Sequence, residues 1–305
     1  MFNQNTHNTQ GAYSAQSTKP VNYHVPAQSH WPIMGSIGLF CFMVGFANTL
    51  HANAFGKYLF MLGAIILVTM MYGWFRDVIN ESMDNLYSHQ MDLSFRWGMA
   101  WFIVSEVFFF MAFFGALFYV RMFAIQWLGG SPGHESNKQF LWPVFEATWP
   151  LLKNPSDTVI GPKEVISPWG LPLVNTFILL SSSVTITIAH HALRAYHRKQ
   201  LIIWTAITAA LGATFLIFQA TEYIEAYHEL GLTLRSGVYG TTFFMLTGFH
   251  GAHVTIGTIM LTVMLIRSIK GHFKPENHFA FEATSWYWHF VDVVWLGLFI
   301  FVYIL

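Results

Sequence analysis

The sequence predicts an all-α polytopic membrane protein with seven transmembrane helices. Its 305 residues are 54% hydrophobic, and only 10% are Asp, Glu, Lys or Arg, whereas about 25% of the residues in soluble domains are charged. A helix needs about 20 apolar residues to cross a bilayer core. Because lipid cannot hydrogen-bond an open backbone, each apolar stretch must be helical. Seven such stretches are present, at residues 33–51, 57–75, 97–120, 172–192, 201–222, 240–266 and 285–305.

The chain divides into three segments, of which the second and third hold the spans. Residues 1–30 are polar, have Lys19 as their one charged residue, and predict a cytoplasmic tail. Residues 31–93 hold the first two spans and their connecting loop, and residues 94–305 hold the other five. Residues 122–171 are rich in Gly and Pro and predict a long, turn-rich loop on the outer side. Basic residues are concentrated in the short segments on the N-terminal side, so the positive-inside rule predicts a cytoplasmic N-terminus and a periplasmic C-terminus.

Charge and cysteine content exclude several function classes. Fifteen basic residues balance fifteen acidic ones, which leaves no basic surface for a nucleic acid. Cys41 is the one cysteine and lies in an apolar stretch, so a disulfide framework or a multi-cysteine metal site is excluded. The sequence also lacks the P-loop, dinucleotide, serine-elbow and HExxH motifs. We therefore expect no catalytic residue and no metal site in this chain.

Glu106 is the acidic residue that lies deepest in a predicted span. An ionisable group inside a bilayer costs a few kcal/mol unless it has a partner, so each one is a functional hypothesis. Glu106 is followed by an aromatic run, Phe108-Phe109-Phe110. Two interpretations are open at this point. The carboxyl either exchanges protons and reacts with carboxyl reagents, or it is protonated and hydrogen-bonded to a neighbouring helix or a lipid.

Two pairs of polar residues share a spacing of three, which places each pair on one helix face. They are His250 with His253 in the sixth span, and His289 with Asp292 in the seventh. Metal binding requires three or four converging ligands. Because Gly and Ala flank the first pair, hydrogen bonding across a tight helix contact is the favoured interpretation.

Polar residues also end three of the spans. Glu222 and Glu225 lie at the end of the fifth span. They indicate either a cation site or the exposed end of a helix, and the exposed helix end is the favoured interpretation. His190 and His191 end the fourth span, where an aqueous interface explains their polarity. Trp74 and Arg76 end the second span, and this combination is typical of an interfacial anchor that can also hold a lipid phosphate.

Several longer strings resemble subunit III of cytochrome c oxidase, in the haem–copper oxidase superfamily. They occur in the family's order and extend through most of the chain. The last of them is highly specific. The strings include residues 74–82 (WFRDVINES), 222–226 (EYIEA), 237–244 (GVYGTTFF), 248–254 (GFHGAHV) and 286–296 (WYWHFVDVVWL).

The resemblance implies an accessory subunit that binds no haem or copper itself. Its main contact would be subunit I, with subunit II also present, and these partners would hold the haems and copper of a proton-pumping enzyme whose substrate is cytochrome c. The first two helices would be separated from the other five by a cleft filled with phospholipid. The role would be to sustain proton uptake and protect the oxygen-reducing centre. The long loop and polar tail suggest a bacterial inner membrane, with the mitochondrial inner membrane as the other setting.

The resemblance also assigns roles to particular residues. Glu106 corresponds to the family's carbodiimide-reactive carboxyl. Trp74, Arg76, Glu106, His253 and Arg267 become candidates for lipid contact, and His250, His289, Asp292, Glu222 and Glu225 for structural polar residues.

A proton-coupled transporter remains the alternative. It would use Glu106, Glu222 and Asp292 as a proton relay. Transporters of this kind usually show inverted repeats or broken helices near the midplane, and neither is evident in the sequence.

Overall fold

The computed structural model describes residues 28–305, and it confirms the predicted all-α class with seven helices long and apolar enough to cross a membrane. The predicted tail, residues 1–30, lies outside the described residues except for its last three. A π-helical turn, Val120–Ala124, joins the third long helix to a short fourth one. The helices are α1 (Trp31–Leu50), α2 (Ala54–Met83), α3 (His89–Tyr119), α4 (Ile125–Leu128), α5 (Leu171–Arg194), α6 (Arg198–His228), α7 (Val238–Lys270) and α8 (Phe279–Leu298).

Most of the helices are longer than the apolar stretches that predicted them. The second predicted span ended at residue 75, whereas α2 continues to Met83. Hydropathy detects only the part of a helix that lipid covers, and a helix can continue in water where its ends are capped. Asn53 Oδ1 accepts a hydrogen bond from the Phe55 amide at 3.2 Å, and Ser88 Oγ accepts one from the Met91 amide at 3.3 Å. These caps start α2 and α3 outside the apolar segments.

The chain forms two compact units, with the boundary between Phe95 and Arg96. In the first unit, α1 and α2 form an antiparallel hairpin. A Cβ atom added to Gly45 would lie 2.2 Å from the backbone nitrogen of Phe60, and one added to Gly63 would lie 2.3 Å from that of Phe42. Glycine therefore sets the distance between these two helices, because any side chain at either position would meet the backbone of the other helix.

In the second unit, α5, α6, α7 and α8 pack in sequence, and α8 also contacts α5. The largest fully buried side chains include Trp288, Trp295 and Phe215. Each indole has a hydrogen-bond acceptor on α5: Trp288 Nε1 donates to Ser182 Oγ at 2.8 Å, and Trp295 Nε1 donates to Thr176 Oγ1 at 2.9 Å. At these two positions the core thus combines large apolar volume with a satisfied indole donor.

Within the same unit, α3 contacts α7 and α8 mainly through aromatic rings. Phe109 lies edge-on to Phe249 with ring centroids 5.0 Å apart. Phe110 is buried and lies 6.0 Å from Phe290, centroid to centroid. Rings of this size fill the space between helices whose backbones are further apart, so a polar residue on this face of α3 can reach across to α7.

The loop between α4 and α5 starts later than predicted and is partly buried. The predicted loop began at residue 122, but helical structure continues to Leu128. Phe145 and Leu151 belong to the hydrophobic core. Asn154 Nδ2 donates hydrogen bonds to the carbonyl oxygens of Val159 and Ser236, which attaches the loop to the turn before α7. Gly and Pro indicate turns but give no information on whether the apolar residues between them are buried.

Candidate functional site

Glu106 on α3 and His253 on α7 form a hydrogen-bonded pair. Glu106 Oε2 lies 2.8 Å from His253 Nε2, and the two side chains are 21% and 14% exposed in the isolated chain. The other ring nitrogen, Nδ1, lies 2.6 Å from the backbone oxygen of Phe249. The structure thus places two of the residues named from the sequence in direct contact, across 147 positions of the chain.

The partners of His253 determine how many protons the pair holds. A backbone carbonyl only accepts hydrogen bonds, so Nδ1 must carry a proton. One further proton must then lie between Nε2 and the carboxylate oxygen, because a hydrogen bond at that contact needs a donor. The pair is therefore either a neutral carboxylic acid with a neutral imidazole, or a carboxylate with an imidazolium. Both forms have zero net charge, which suits an apolar span.

Aromatic rings surround His253. The centroids of Phe110, Phe109 and Tyr287 lie 5.0, 5.9 and 6.3 Å from the imidazole centroid. These rings exclude water from one side of the pair. The Glu106 side chain nevertheless remains 21% exposed in the isolated chain. Part of the carboxyl is therefore accessible to an apolar molecule in the membrane.

His250 and His253 have different environments, although they lie one turn apart on α7. His250 is buried between Phe215 and Trp295, and neither of its ring nitrogens has a hydrogen-bond partner among the described residues. The two histidines therefore do not share a ligand, and His250 lies in the core.

His289 and Asp292 on α8 also differ in their hydrogen bonding. Ser183 Oγ lies 2.7 Å from His289 Nδ1, and Thr187 Oγ1 lies 3.4 Å from Nε2, so His289 bonds across to α5. Asp292 is buried, and neither carboxylate oxygen has a well-aligned hydrogen-bond partner among the described residues. The structural role predicted for this pair stays a prediction.

Glu222 differs from the exposed helix end that the sequence predicted. It is only 2% exposed, and its Oε1 accepts hydrogen bonds from Tyr303 Oη at 2.6 Å and Gln219 Nε2 at 3.3 Å. Glu225 is exposed, as expected. The interpretation failed for Glu222 because its main donor, Tyr303, lies near the C-terminus, 81 residues away.

The candidates for lipid contact have different exposure. Trp74 and Arg76 are exposed at the end of α2. Next to them, Asp77 Oδ2 accepts a hydrogen bond from Trp31 Nε1 at 2.7 Å, which fixes the end of α2 against the start of α1. Arg267 is buried instead, and its guanidinium lies 4.6 Å from the centroid of the Phe273 ring.

The sequence did not indicate a polar cluster where α3, α5 and α8 meet. Arg96 Nη1 lies 2.6 Å from Glu282 Oε2, and His278 Nε2 lies 3.9 Å from the same oxygen. His190, which was attributed to an interface, belongs to this cluster. The i, i+4 spacing of His278 and Glu282 was the available local signal, but nothing local connects them to residues 96 and 190.

The segment that leads into this cluster has a contact of its own. Tyr196 Oη, in the α5–α6 turn, donates a hydrogen bond to Glu276 Oε1. This hydrogen bond lowers the pKa of Glu276 and raises the pKa of Tyr196, because it stabilises the carboxylate and the neutral phenol.

The seven spans and the half-buried Glu106–His253 pair define a polytopic α-helical membrane protein with an acid–base pair inside its bundle. Comparison with known families identifies the chain more closely. The family model described as cytochrome c oxidase subunit III matches residues 21–134 and 141–305, and the chain belongs to that family. It is therefore a subunit of an enzyme complex of the respiratory chain.

Individual relatives give the same result. The chain is 41% identical to cytochrome c oxidase subunit 3 of Prototheca wickerhamii over 286 residues, which cover 92% of this chain and 96% of the relative. It is 42% identical to the Marchantia polymorpha protein, with 92% and 95% covered. It is 41% identical to the Drosophila melanogaster protein, with 95% and 98% covered. The resemblance noted in the sequence is confirmed.

Proposed function

We propose that the chain is a non-redox accessory subunit that sustains proton uptake into the catalytic subunit of a proton-pumping cytochrome c oxidase and stabilises its oxygen-reducing centre. Subunit I is the main partner and subunit II the second, and these two hold the haems and copper. Cytochrome c is the substrate of the complex. The observation that carries the proposal is the Glu106–His253 pair, a hydrogen-bonded acid–base pair inside a bundle of the subunit III family.

The outer surface of the bundle supports assembly within a membrane. Phe177 on α5, Ile217 on α6 and Val293 on α8 are each more than 60% exposed in the isolated chain. Exposed apolar residues at these positions suit contact with lipid chains and with the helices of partner subunits. We place the chain in a bacterial inner membrane with its N-terminus in the cytoplasm and its C-terminus in the periplasm. The lipid-filled separation of the first two helices stays a prediction.

Purification of the tagged chain from its native membrane tests the proposal. We expect haem absorption bands in the reduced-minus-oxidised spectrum, and mass spectrometry should identify a large multispan partner and a copper-binding subunit. The haem should leave with the large partner when the complex is split. A colourless chain without partners would support the alternative, a proton-coupled transporter that uses Glu106. Membership of the subunit III family favours the oxidase.

Replacement of Glu106 is expected to remove the site of carbodiimide labelling. Glu106→Ala deletes a carboxyl that an apolar reagent can reach from the membrane, and the complex should still assemble because the side chain is not in the core. Labelling of this subunit by dicyclohexylcarbodiimide is measured by mass spectrometry of its peptides. Glu225→Ala is the control, since that acid is exposed at the end of α6. Equal labelling of the Glu106→Ala chain and the parent would refute the assignment.

Replacement of Arg76 is expected to weaken phospholipid binding. Arg76 is exposed beside Trp74, so its guanidinium is available to a lipid phosphate. Native mass spectrometry of Arg76→Ala should show fewer bound phospholipids than the parent. Lys57→Ala is the control, because Lys57 is also exposed and lies at the other end of α2. An unchanged lipid count in Arg76→Ala, or an equal loss in both variants, would contradict the prediction.

A further inference from the structure

His190, His278 and Glu282 present three potential metal ligands within a small volume. One ligand atom from each residue can be chosen so that all three lie within 4.8 Å of one another. The imidazole centroids of His190 and His278 are 5.4 Å apart. His190 lies four residues before the end of α5 at Arg194, His278 precedes α8, and Glu282 is in the first turn of α8. The cluster therefore joins the end of one helix to the start of another.

Two atoms of this cluster have no hydrogen-bond partner. His190 Nε2 and His278 Nδ1 are buried from solvent and unbonded within the part of the chain that the structure describes. A buried polar atom without a partner costs about 1–3 kcal/mol, and a bound ligand can supply the missing interaction. The three residues are only partly buried, so an ion can reach them from outside the protein.

Arg96 affects both the geometry and the charge of the cluster. Its Nη1 lies 2.6 Å from Glu282 Oε2, and its guanidinium lies 5.5 Å from the Phe279 ring centroid. The ion pair fixes the direction of the Glu282 carboxylate, as outer partners of metal ligands do. A carboxylate has two oxygens, so a bond from Arg96 to one leaves the other able to bind a metal.

The donor set selects the kind of ion. Mg²⁺ and Ca²⁺ require mainly oxygen ligands, and the positive charge of Arg96 opposes a cation held by charge alone. Imidazole nitrogens favour Zn²⁺ and similar transition metals. Two histidines with one carboxylate are a known three-ligand set for zinc, with water in the fourth position.

We propose that His190, His278 and Glu282 bind one divalent transition-metal ion, with Zn²⁺ as the best fit, and that this ion clamps the end of α5 to the start of α8. The site is separate from the Glu106–His253 pair and needs no redox chemistry. It also does not depend on the function proposed above, because it uses side chains of this subunit only.

Zinc content of the purified complex tests the proposal. The parent complex and three variants, His190→Ala, His278→Gln and His191→Ala, are treated with a chelator, equilibrated with Zn²⁺, and analysed by inductively coupled plasma mass spectrometry. His191 is the matched control, because it is the next residue to His190 and is exposed. Zinc bound by other subunits is common to all four samples and cancels in the differences.

We expect one more zinc per complex in the parent and in His191→Ala than in the other two variants. Loss of one of three ligands should weaken zinc binding by at least about tenfold, since even outer-shell changes cost 10–100-fold. Zinc should also raise the thermal unfolding temperature of the parent and of His191→Ala only. Equal zinc content in all four samples would show adventitious binding and overturn the proposal.

A second measurement covers the case in which the His190→Ala complex fails to assemble. Zinc K-edge absorption spectroscopy on the parent, compared with His278→Gln, should show nitrogen scattering from two imidazoles that decreases in the variant. An unchanged spectrum, or one without imidazole scattering, would also overturn the proposal.

Discussion

Trp288→Ala is expected to lower the free energy of unfolding of the second unit by about 3–5 kcal/mol, the usual cost of removing a large aromatic side chain from a core. Trp288 is fully buried in α8. Its ring fills the space beside Gly212 on α6 and Gly257 on α7, where added Cβ atoms would lie 2.7 and 2.8 Å from ring carbons. The glycines cannot move into the cavity to replace it.

The lost hydrogen bond adds to this cost. Trp288 Nε1 donates to Ser182 Oγ, which is buried on α5. Because Ser182 also donates to the Leu179 carbonyl, it keeps one interaction in the variant. Trp288→Phe removes the indole donor but retains most of the ring, so it should cost less than Trp288→Ala. Both variants lack the hydrogen bond, so the difference between them measures the contribution of the ring volume.

Unfolding of the purified complex in increasing sodium dodecyl sulfate measures these effects. Trp101→Ala is the control, because Trp101 is on α3 and is 67% exposed in the isolated chain. We expect Trp101→Ala to be the most stable of the three variants, Trp288→Phe to be less stable, and Trp288→Ala to be the least stable. Equal loss in Trp101→Ala and Trp288→Ala would show that burial in this unit does not determine the cost.

The sequence predicted the number of spans because hydropathy depends only on local composition. Each apolar stretch must be helical in lipid whatever surrounds it, so seven stretches predicted seven helices. The helix ends were less predictable. Asn53 and Ser88 are ordinary polar residues until their amide donors are located, and these two caps start α2 and α3 before the apolar stretches begin.

Contacts between distant residues could not be predicted in the same way. Glu106 was identified from its own position in a span, but the sequence paired His253 with His250, its neighbour on the same helix, and gave no sign that His253 bonds to Glu106. Glu222 was assigned to an exposed end because Tyr303 is 81 residues away. The cluster of His190, His278 and Glu282 was not recognised for the same reason. A sequence shows the chemistry of each single residue, whereas a contact between two distant residues can be identified only when the helix packing is known.

Helix packing depends in turn on small residues that hydropathy does not distinguish. In the first unit, the approach of α1 and α2 leaves no room for side chains at Gly38, Gly45, Gly56 and Gly63. In the second unit, Gly212 and Gly257 make room for an indole. Small residues therefore serve two purposes in this fold, close backbone contact in one unit and space for a large ring in the other.

Gly45→Leu is expected to separate α1 from α2 and to destabilise the first unit by more than about 3 kcal/mol, above the range usual for overpacked cores. The added Cβ would lie 2.2 Å from the backbone nitrogen and 2.6 Å from the Cα of Phe60. Backbone atoms cannot change rotamer to relieve the clash, so the whole helix must shift. The hairpin loses its close contacts along several turns as a result.

Gly115→Leu is the matched control, since Gly115 is also within a predicted span and a Cβ added there meets no atom within 4 Å. That variant should be as stable as the parent, because leucine also has a higher helix propensity than glycine. Detergent-induced unfolding and the yield of assembled complex are the measurements. A Gly45→Leu complex as stable and abundant as Gly115→Leu would show that the close approach of α1 and α2 is not needed for this fold.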